Sequence, residues 1–203
     1  MRDWWNAPTD TIRDACVKAG ISSRKSRLFA VALCRMWVDW MPDQHTRELV
    51  DLAELFADGR VTDQQLQRAR RAVYRWANKH WNTLISSSHQ DWARYWAAWN
   101  AAIPKIVPPC YGFFHRDNEF RRIAADIFGS YAEPLTFDPT WRTSTAVALA
   151  QQMYESRDFS PLPILADALQ DAGCEHPDIL SHCRGTGVHV RGCWVVDLVL
   201  AKQ

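Results

Sequence analysis

Long apolar runs are missing from this chain of 203 residues. The longest covers residues 28–34 and is followed at once by Arg35, whereas a bilayer span needs about 20 apolar residues. We interpret this run as a buried helix segment. The N-terminal sequence MRDWW contains an acid and lacks the apolar core of a secretory signal. We therefore expect a cytoplasmic protein that does not enter a membrane.

An excess of charge of one sign is also missing. The chain has 24 Lys and Arg residues against 23 Asp and Glu residues, so its formal net charge is +1. A nearly neutral molecule creates no strong long-range attraction for nucleic acid or anionic lipid. Binding to such partners would have to rest on a local patch of charge.

The sequence lacks the motifs that usually identify an enzyme or a cofactor site. It contains no G-x-S-x-G, no Walker loop, no G-x-G-x-x-G and no H-E-x-x-H. Its six cysteines form no C-x-x-C pair, and in the cytoplasm we expect them to be reduced. These absences remove the positive case for catalysis without excluding it. We favour a protein that is not an enzyme and leave that question open.

What the sequence does contain is apolar residues at the period of an α-helix. Hydrophobic residues make up 47% of the chain and charged residues 23%, as in ordinary globular proteins. No segment alternates with the period of two that predicts a half-buried strand. The pattern predicts an all-α fold, a compact bundle of about nine helices with a short extended segment near 134–141. We expect residues 1–203 to form a single domain, with a possible subdomain boundary in the Pro-rich loop 104–117.

Capping residues mark several of the predicted helix ends. Ser22 opens the second helix, which is expected to run to about residue 40. Asp43 caps a third helix, which Gly59 ends. Residues 62–65 read Thr-Asp-Gln-Gln and predict a capping box at the start of a fourth helix.

Farther along the chain the helical pattern continues. The fifth helix carries an aromatic stripe whose spacing is typical of a core-facing side, and its members are Trp92, Tyr95, Trp96 and Trp99. The chain has eleven tryptophans in all, and such large aromatic side chains contribute much buried area to a core. The later helices are predicted near residues 117–128, 144–156, 163–172, 177–183 and 192–202.

Two clusters of basic residues are candidates for a nucleic-acid surface. One lies at the start of the second helix and the other along the polar side of the fourth, and together they comprise Arg24, Lys25, Arg27, Arg68, Arg71, Arg75 and Lys79. Such side chains bind phosphates and release counterions, provided that they converge on one surface. The competing interpretation, which we favour, is that the stripe is only the solvated face of an amphipathic helix.

The C-terminal tail is rich in Cys and His and raises the question of a metal. Structural zinc takes four ligands in a tetrahedron, and one combination is Cys174, His182, His189 and Cys193. Its spacing matches no standard zinc motif. We favour the interpretation that the cysteines are buried in the core and that the histidines cap helices or form hydrogen bonds near the turn at 185–187. The first expectation is therefore no cofactor, with zinc as the alternative.

The same tail carries a carboxylate in an apolar run. Asp197 lies within Trp-Val-Val-Asp-Leu-Val-Leu, and a buried carboxylate needs a partner. Nearby candidates are Arg184, Arg191, His182 and His189. We expect a structural polar network formed by Arg184, His189, Arg191 and Asp197.

Much of the chain resembles a helical family of planctomycete-type bacteria. The matching stretches are RLFA at 27–30 with CR at 34–35 and Trp37, AE at 53–54 with FADG at 56–59, DIFG at 126–129, Asp138-Pro139 with Trp141, LPILADAL at 162–169, HCR at 182–184, Gly187, HVRGCW at 189–194 and Asp197. The resemblance implies a shared helical fold and transfers no catalytic residue. Relatives often carry cysteines where this chain has Val31 and Leu33, which speaks against a metal site on the second helix.

Taken together, these patterns favour a non-catalytic helical module for protein interaction, as a scaffold, an adaptor or a subunit of a larger assembly. Ordinary charge, abundant Trp and the lack of recognisable chemistry support this hypothesis, in which the partner is another protein. A nucleic-acid-binding accessory protein is the second hypothesis. A zinc-containing module at the C-terminal Cys/His cluster is the third.

Overall fold

The computed structural model describes residues 22–36, 43–80, 118–129 and 136–202. In these ranges it contains eight α-helices, one 3₁₀ turn and no strand. The predicted all-α class is thus confirmed. The helices are α1 Ser23–Arg35, α2 Gln44–Ala57, α3 Asp63–Lys79, α4 Asn118–Phe128, α5 Ser144–Ser156, α6 Leu162–Asp171, α7 Pro177–Arg184 and α8 Trp194–Val199, with the 3₁₀ turn at Pro139–Trp141 between α4 and α5.

The first three helices begin at the caps that the sequence predicts. The Ser22 side chain accepts a hydrogen bond from the backbone of Lys25, and Asp43 accepts one from the backbone of Thr46. Thr62 and Gln65 form the reciprocal capping box. Each cap satisfies backbone N–H groups that the first turn of a helix leaves without a partner.

Helices α1 to α3 pack around one apolar core. Residues 28–34 of α1 are buried along their whole length, as their unbroken apolar character predicts. Leu49, Ala53 and Leu66 contribute from the other two helices and have no exposed surface. Arg35 links α1 to α2, because its Nη2 lies 2.8 Å from Oδ1 of Asp51 and 3.0 Å from Oε2 of Glu54.

Helices α5 to α8 form a second core. It is made of small and branched side chains, such as Ala146, Leu165 and Val196, and includes the thiols of Cys174 and Cys183. Cys174, Cys183 and Cys193 form no disulfide in this part of the chain. The chain divides into two compact units between Arg121 and Arg122, so that the last turns of α4 belong to the second unit.

Two predicted segments differ from the structure. Within the segment predicted to be extended near 134–141, Asp138 is extended, but Pro139–Trp141 form a 3₁₀ turn because the Asp138 carboxylate accepts a hydrogen bond from the backbone of Thr140; residues 134–135 lie outside the described ranges. The last helix covers Trp194–Val199 and not 192–202. It ends early because Ala201 adopts a φ of 53° and the Lys202 N–H bonds back to the Asp197 carbonyl.

Other predictions concern residues outside the described ranges. They include the first predicted helix before Gly20, the aromatic stripe from Trp92 to Trp99 and the boundary loop 104–117. Cys16 and Cys110 lie outside these ranges too. Among the helices that are described, none combines the length and the apolar character needed to cross a membrane.

Candidate metal centre

Asp126, in the last turn of α4, lies at the centre of a buried polar cluster. Its side chain is only 2% exposed. Oδ1 lies 2.7 Å from Nδ1 of His189 and 3.1 Å from Nε2 of His182, and Oδ2 accepts a 2.9 Å hydrogen bond from the Val190 N–H. Burial alone would raise the pKa of Asp126, but hydrogen bonds from His182 and His189, and the charge of these rings when they are protonated, lower it below its ordinary value. Asp126 is therefore held as a carboxylate.

His182 and Cys193 form the second side of the cluster. His182 projects from α7, and its Nε2 lies 3.2 Å from Sγ of Cys193, the residue that precedes α8. Burial raises the pKa of the Cys193 thiol well above its usual value, and the Asp126 charge raises it further. Hydrogen bonds from the backbone N–H groups of Val195 and Val196 act in the opposite direction. These donors are suited to a thiolate once a cation is present to neutralise it.

His189 closes the cluster from the loop between α7 and α8. Its side chain is 10% exposed, and its ring meets the His182 ring edge to face at a centroid distance of 4.9 Å. Nδ1 faces Asp126, whereas the buried Nε2 has no hydrogen-bond partner among the described residues. A buried nitrogen without a partner is uncommon in folded proteins and calls for an explanation.

The loop that carries His189 and Cys193 is anchored on both sides. Arg191, 5% exposed, donates a 2.9 Å hydrogen bond to the Tyr154 carbonyl and stacks over the Tyr154 ring. Arg142 donates two hydrogen bonds, of 3.2 and 3.0 Å, to the Leu198 carbonyl at the end of α8. The loop is therefore held by α5 through Tyr154, and the end of α8 is held by Arg142, which lies just before α5.

A close contact also connects α4 to the cluster. Gly129 has a φ of 64°, and a Cβ atom at this position would lie 3.0 Å from Cγ of Trp194. The Trp194 ring in turn packs against His182, with a centroid distance of 5.1 Å. Only glycine provides both the backbone conformation and the space for this approach.

The four side chains are arranged as a metal site would be. One ligand atom from each of Asp126, His182, His189 and Cys193 lies within 4.8 Å of the other three. In a tetrahedral zinc site with ordinary bond lengths, ligand nitrogens are about 3.3 Å apart and a nitrogen and a sulfur about 3.5 Å apart. The contacts of 2.7, 3.1 and 3.2 Å in the cluster would lengthen by fractions of an ångström around an ion, and the wider separations, of up to 4.8 Å, would contract. One oxygen, two nitrogens and one sulfur form a donor set that zinc accepts.

The structure brings together three of the four ligands proposed from the sequence. His182, His189 and Cys193 are in the cluster, and Asp126 occupies the place that we gave to Cys174. Cys174 lies in the apolar core of the second unit with no exposed surface. Its neighbour in that core, Cys183, has its pKa raised to about 12, first by burial and then by the nearby Cys174 and Asp126, so it stays a neutral thiol at physiological pH.

Sequence reasoning missed Asp126, although a signal was present. Ile123, Asp126 and Ile127 follow the i, i+3, i+4 pattern, which puts the carboxylate on the buried side of α4. A carboxylate in the last turn of a helix also meets the negative end of the helix dipole. Such a residue needs a buried cationic or hydrogen-bonding partner.

The predicted polar network is divided among several partners. Arg184 pairs with Asp167 at 2.8 Å and with the Gln170 side chain at 2.7 Å, and His189 pairs with Asp126. Asp197 is buried, with 2% of its surface exposed, as its apolar neighbours predict. The two histidines offered as its partners thus bind a different carboxylate.

The seven basic residues proposed for a nucleic-acid surface do not form one exposed surface. Lys25 and Arg27 are each only 7% exposed, and Nε of Arg24 lies 3.2 Å from Oδ1 of Asp58. Arg27 stacks over the Phe56 ring, and its pKa is lowered by burial and by the positive charge of Arg70. The four members on α3 are all exposed, namely Arg68, Arg71, Arg75 and Lys79.

Comparisons of this chain with protein-family models, with curated proteins and with solved structures give no match. The resemblance to the planctomycete-type family therefore stays a prediction. The function has to be argued from the cluster itself, whose four members lie on α4, on α7 and in the loop between α7 and α8.

Proposed function

We propose that residues 122–202 form a zinc-binding module in which Asp126, His182, His189 and Cys193 hold one Zn²⁺ ion. The observation that carries this proposal is the convergence of four ligand atoms of suitable chemistry to within 4.8 Å of one another. Their side chains are also shielded from water, with Asp126 2%, His189 10% and His182 17% exposed. Buried titratable groups in this number are costly unless a cation or a complete hydrogen-bond network compensates them.

The donor set favours zinc over other common metals. Ca²⁺ and Mg²⁺ require oxygen ligands, and the cluster offers a single carboxylate beside two imidazoles and a thiol. Zinc binds thiolate, imidazole and carboxylate in tetrahedral sites. Two negative ligands, Asp126 and the Cys193 thiolate, would neutralise the ion and leave no net charge in the core.

The site suits a structural ion better than a catalytic one. Catalytic zinc keeps a coordination position open for water, whereas four protein ligands fill the tetrahedron. Asp126 lies in the last turn of α4, His182 lies on α7, and His189 and Cys193 come from the loop that leads to α8. An ion shared by these segments would cross-link parts of a small unit that are distant in the chain.

The direct test is the metal content of the purified chain. After refolding or dialysis with zinc, we expect one zinc per chain by elemental analysis. Replacement by Co²⁺ should give the visible absorption of a tetrahedral site and a near-ultraviolet band from a single thiolate ligand. A zinc content well below one per chain, after incubation with excess zinc, would contradict the proposal.

A zinc module is compatible with the predicted interaction protein, which stays a prediction. Several large apolar residues are exposed in the described part of the chain. The exposed fraction is 59% for Ile164 and 36% each for Val147 and Val188. They lie on α6, on α5 and in the loop after α7, and a partner protein would have to contact them or residues outside the described ranges. Stable zinc-dependent folding of this unit would provide the scaffold for such a surface. The cytoplasmic location likewise stays a prediction.

Nucleic-acid binding through α3 is a second candidate, favoured by one specific observation. Tyr74 is 53% exposed and lies beside the exposed Arg71 and Arg75. An aromatic ring among cations is suited to stacking on an unpaired base while the cations bind phosphates. We propose this site with α3 alone, because Lys25 and Arg27 are buried.

A gel shift with a single-stranded oligonucleotide tests the second candidate. The double variant Arg71→Glu/Arg75→Glu should abolish a salt-dependent shift. The variant Arg47→Glu/Arg60→Glu changes the charge equally at exposed positions that are not part of α3 and should leave the shift in place. Equal behaviour of the two variants would contradict a site on α3.

A further inference from the structure

A cavity of about 300 Å³ lies beside His189 in the second unit. Phe159 and Leu162 contribute apolar side chains to its lining, which also includes the exposed residues Ser160 and Thr186. This volume is at the lower end for small-molecule sites, which combine apolar walls with a few polar groups. It is larger than the cavity of about 150 Å³ that accommodates a benzene ring.

His189 turns an unsatisfied nitrogen toward this cavity. Nδ1 faces Asp126 at 2.7 Å, and Nε2, on the other edge of the ring, is buried without a hydrogen-bond partner in the described part of the chain. A methyl group built at Gly187 would lie 3.8 Å from Nε2, and Gly187 itself lines the cavity. The side chain is nine-tenths buried, so a molecule in the cavity is placed to supply the missing partner.

We propose that this cavity binds a small organic molecule with an apolar body and one acceptor oxygen, from a carbonyl or a carboxylate, which accepts a hydrogen bond from Nε2–H of His189. The inference rests on the proposed zinc site. When Nδ1 of a neutral imidazole binds a metal, the remaining hydrogen is on Nε2. Metal binding therefore fixes Nε2 as a donor.

The metal-free protein should have the opposite preference. In a neutral metal-free ring, Nδ1–H donates to the Asp126 carboxylate, and Nε2 is left as an acceptor. The zinc ion would thus determine which hydrogen-bonding group the cavity accepts. Binding involves no bond formation and no transfer of electrons, and the walls contributed by Phe159 and Leu162 supply the apolar contact.

Three probes that share one aromatic ring separate the relevant chemistries. Benzamide offers a neutral carbonyl oxygen, benzoate an anionic oxygen, and benzylamine only N–H donors at neutral pH. We would titrate each into the zinc-loaded full-length chain and follow the amide signals of residues 185–187 and the Nε2–H signal of His189 by NMR. One or both acceptor probes should bind with a millimolar Kd, and benzylamine at least tenfold more weakly. The stronger of the two acceptors identifies the natural ligand as neutral or anionic.

A variant that fills the cavity without touching the metal ligands completes the test. In Gly187→Leu the new side chain covers Nε2, and the backbone at Gly187 needs no positive φ. Zinc content should stay at one per chain, while the acceptor probes bind at least tenfold more weakly. The neighbouring Val188→Leu introduces the same side chain at an exposed position outside the cavity lining and should bind the probes as the wild type does.

The results separate the two proposals. One zinc per chain together with no binding of either acceptor overturns the cavity inference and leaves the zinc site intact. Binding of benzylamine as strongly as benzamide, or unchanged binding in Gly187→Leu, also overturns it, because apolar contact alone would then explain occupancy. A chain that takes up no zinc overturns the proposed function and this inference with it.

Discussion

His189 and Asp126 are 63 positions apart in the chain, and their Nδ1 and Oδ1 atoms lie 2.7 Å from each other in the second unit. The same carboxylate binds the backbone of Val190 through its other oxygen, at 2.9 Å. Asp126 therefore fixes both the ring and the main chain of the loop that carries the candidate ligands. A carboxylate that also orients its neighbours should be the most sensitive position of the cluster.

Two buried residues distinguish the ligand set of the structure from the set proposed from the sequence. We expect Asp126→Asn to weaken zinc binding at least tenfold, because the anionic ligand is lost, while Cys174→Ala keeps one zinc per chain. Competition with a chromophoric chelator measures both affinities. Far-UV circular dichroism is the control that both variants are folded. Loss of zinc in Cys174→Ala with normal binding in Asp126→Asn would return the site to the set proposed from the sequence.

Local signals predicted the helices well. Asp43 and Thr62 cap their helices through residues only three positions away, so the sequence contains the whole interaction. The 3₁₀ turn at Pro139–Trp141 was missed because it depends on one side chain, that of Asp138, in competition with the extended preference before proline. Short-range competition of this kind is decided by small energies.

The site was predicted only in part, because its last member is distant in sequence. His182, His189 and Cys193 lie within one short segment, so their proximity could be expected. Asp126 reaches them only through the packing of α4 against the loop. The spacing of residues in the sequence cannot predict such a long-range contact. Which of the buried cysteines faces the cluster is likewise a matter of tertiary packing, and Cys193 and Cys174 could not be separated by composition.

Two basic residues on α1 that we predicted as candidates for a nucleic-acid surface are buried. Lys25 and Arg27 lie near the start of α1, where their charge predicts exposure to solvent. In the structure Arg27 covers the Phe56 ring, because a long side chain can bury its stem and stack its guanidinium on an aromatic face. The stripe on α3 stays exposed since its helix packs through the opposite side.

Removal of zinc should destabilise the second unit. At a free zinc concentration 1,000 times its Kd, binding contributes about 4 kcal/mol to the free energy of unfolding. For a unit of this size, each kcal/mol corresponds to about 4 °C or more in Tm. We expect a chelator to lower the Tm of this unit by about 15 °C, as followed by calorimetry, and added zinc to restore it. An unchanged Tm in protein stripped of its metal would contradict a structural role.

Zinc binding should release a proton and strengthen as the pH rises. Burial keeps the pKa of Cys193 well above its usual value in the metal-free protein, so the thiol is protonated at neutral pH, whereas the ion requires the thiolate. Below that raised pKa, each bound ion displaces about one proton from the thiol, and the apparent Kd should fall about tenfold per pH unit. Calorimetry in buffers of different ionisation enthalpy counts the protons. Cys193→Ser should bind more weakly, and a Kd independent of pH would exclude the thiolate as a ligand.

Gly129→Ala should destabilise the second unit more than the matched change at Gly173. Both glycines have positive φ, 64° and 88°, so both variants incur the cost of a left-handed backbone, about 1–2 kcal/mol. At Gly173 a Cβ atom meets nothing within 4 Å, whereas at Gly129 it would lie 3.0 Å from Cγ of Trp194. Overpacking of this kind adds about 1–3 kcal/mol.

The Trp194 ring also packs against His182, so its displacement in Gly129→Ala should weaken zinc binding as well as folding. Urea denaturation compares the free energies of unfolding of the two variants, and chelator competition compares their affinities for zinc. Gly173→Ala should bind zinc as the wild type does. If the two variants lose equal stability and both keep full affinity, the contact between Gly129 and Trp194 does not support the site, and the cluster is positioned by Asp126 and the anchored loop alone.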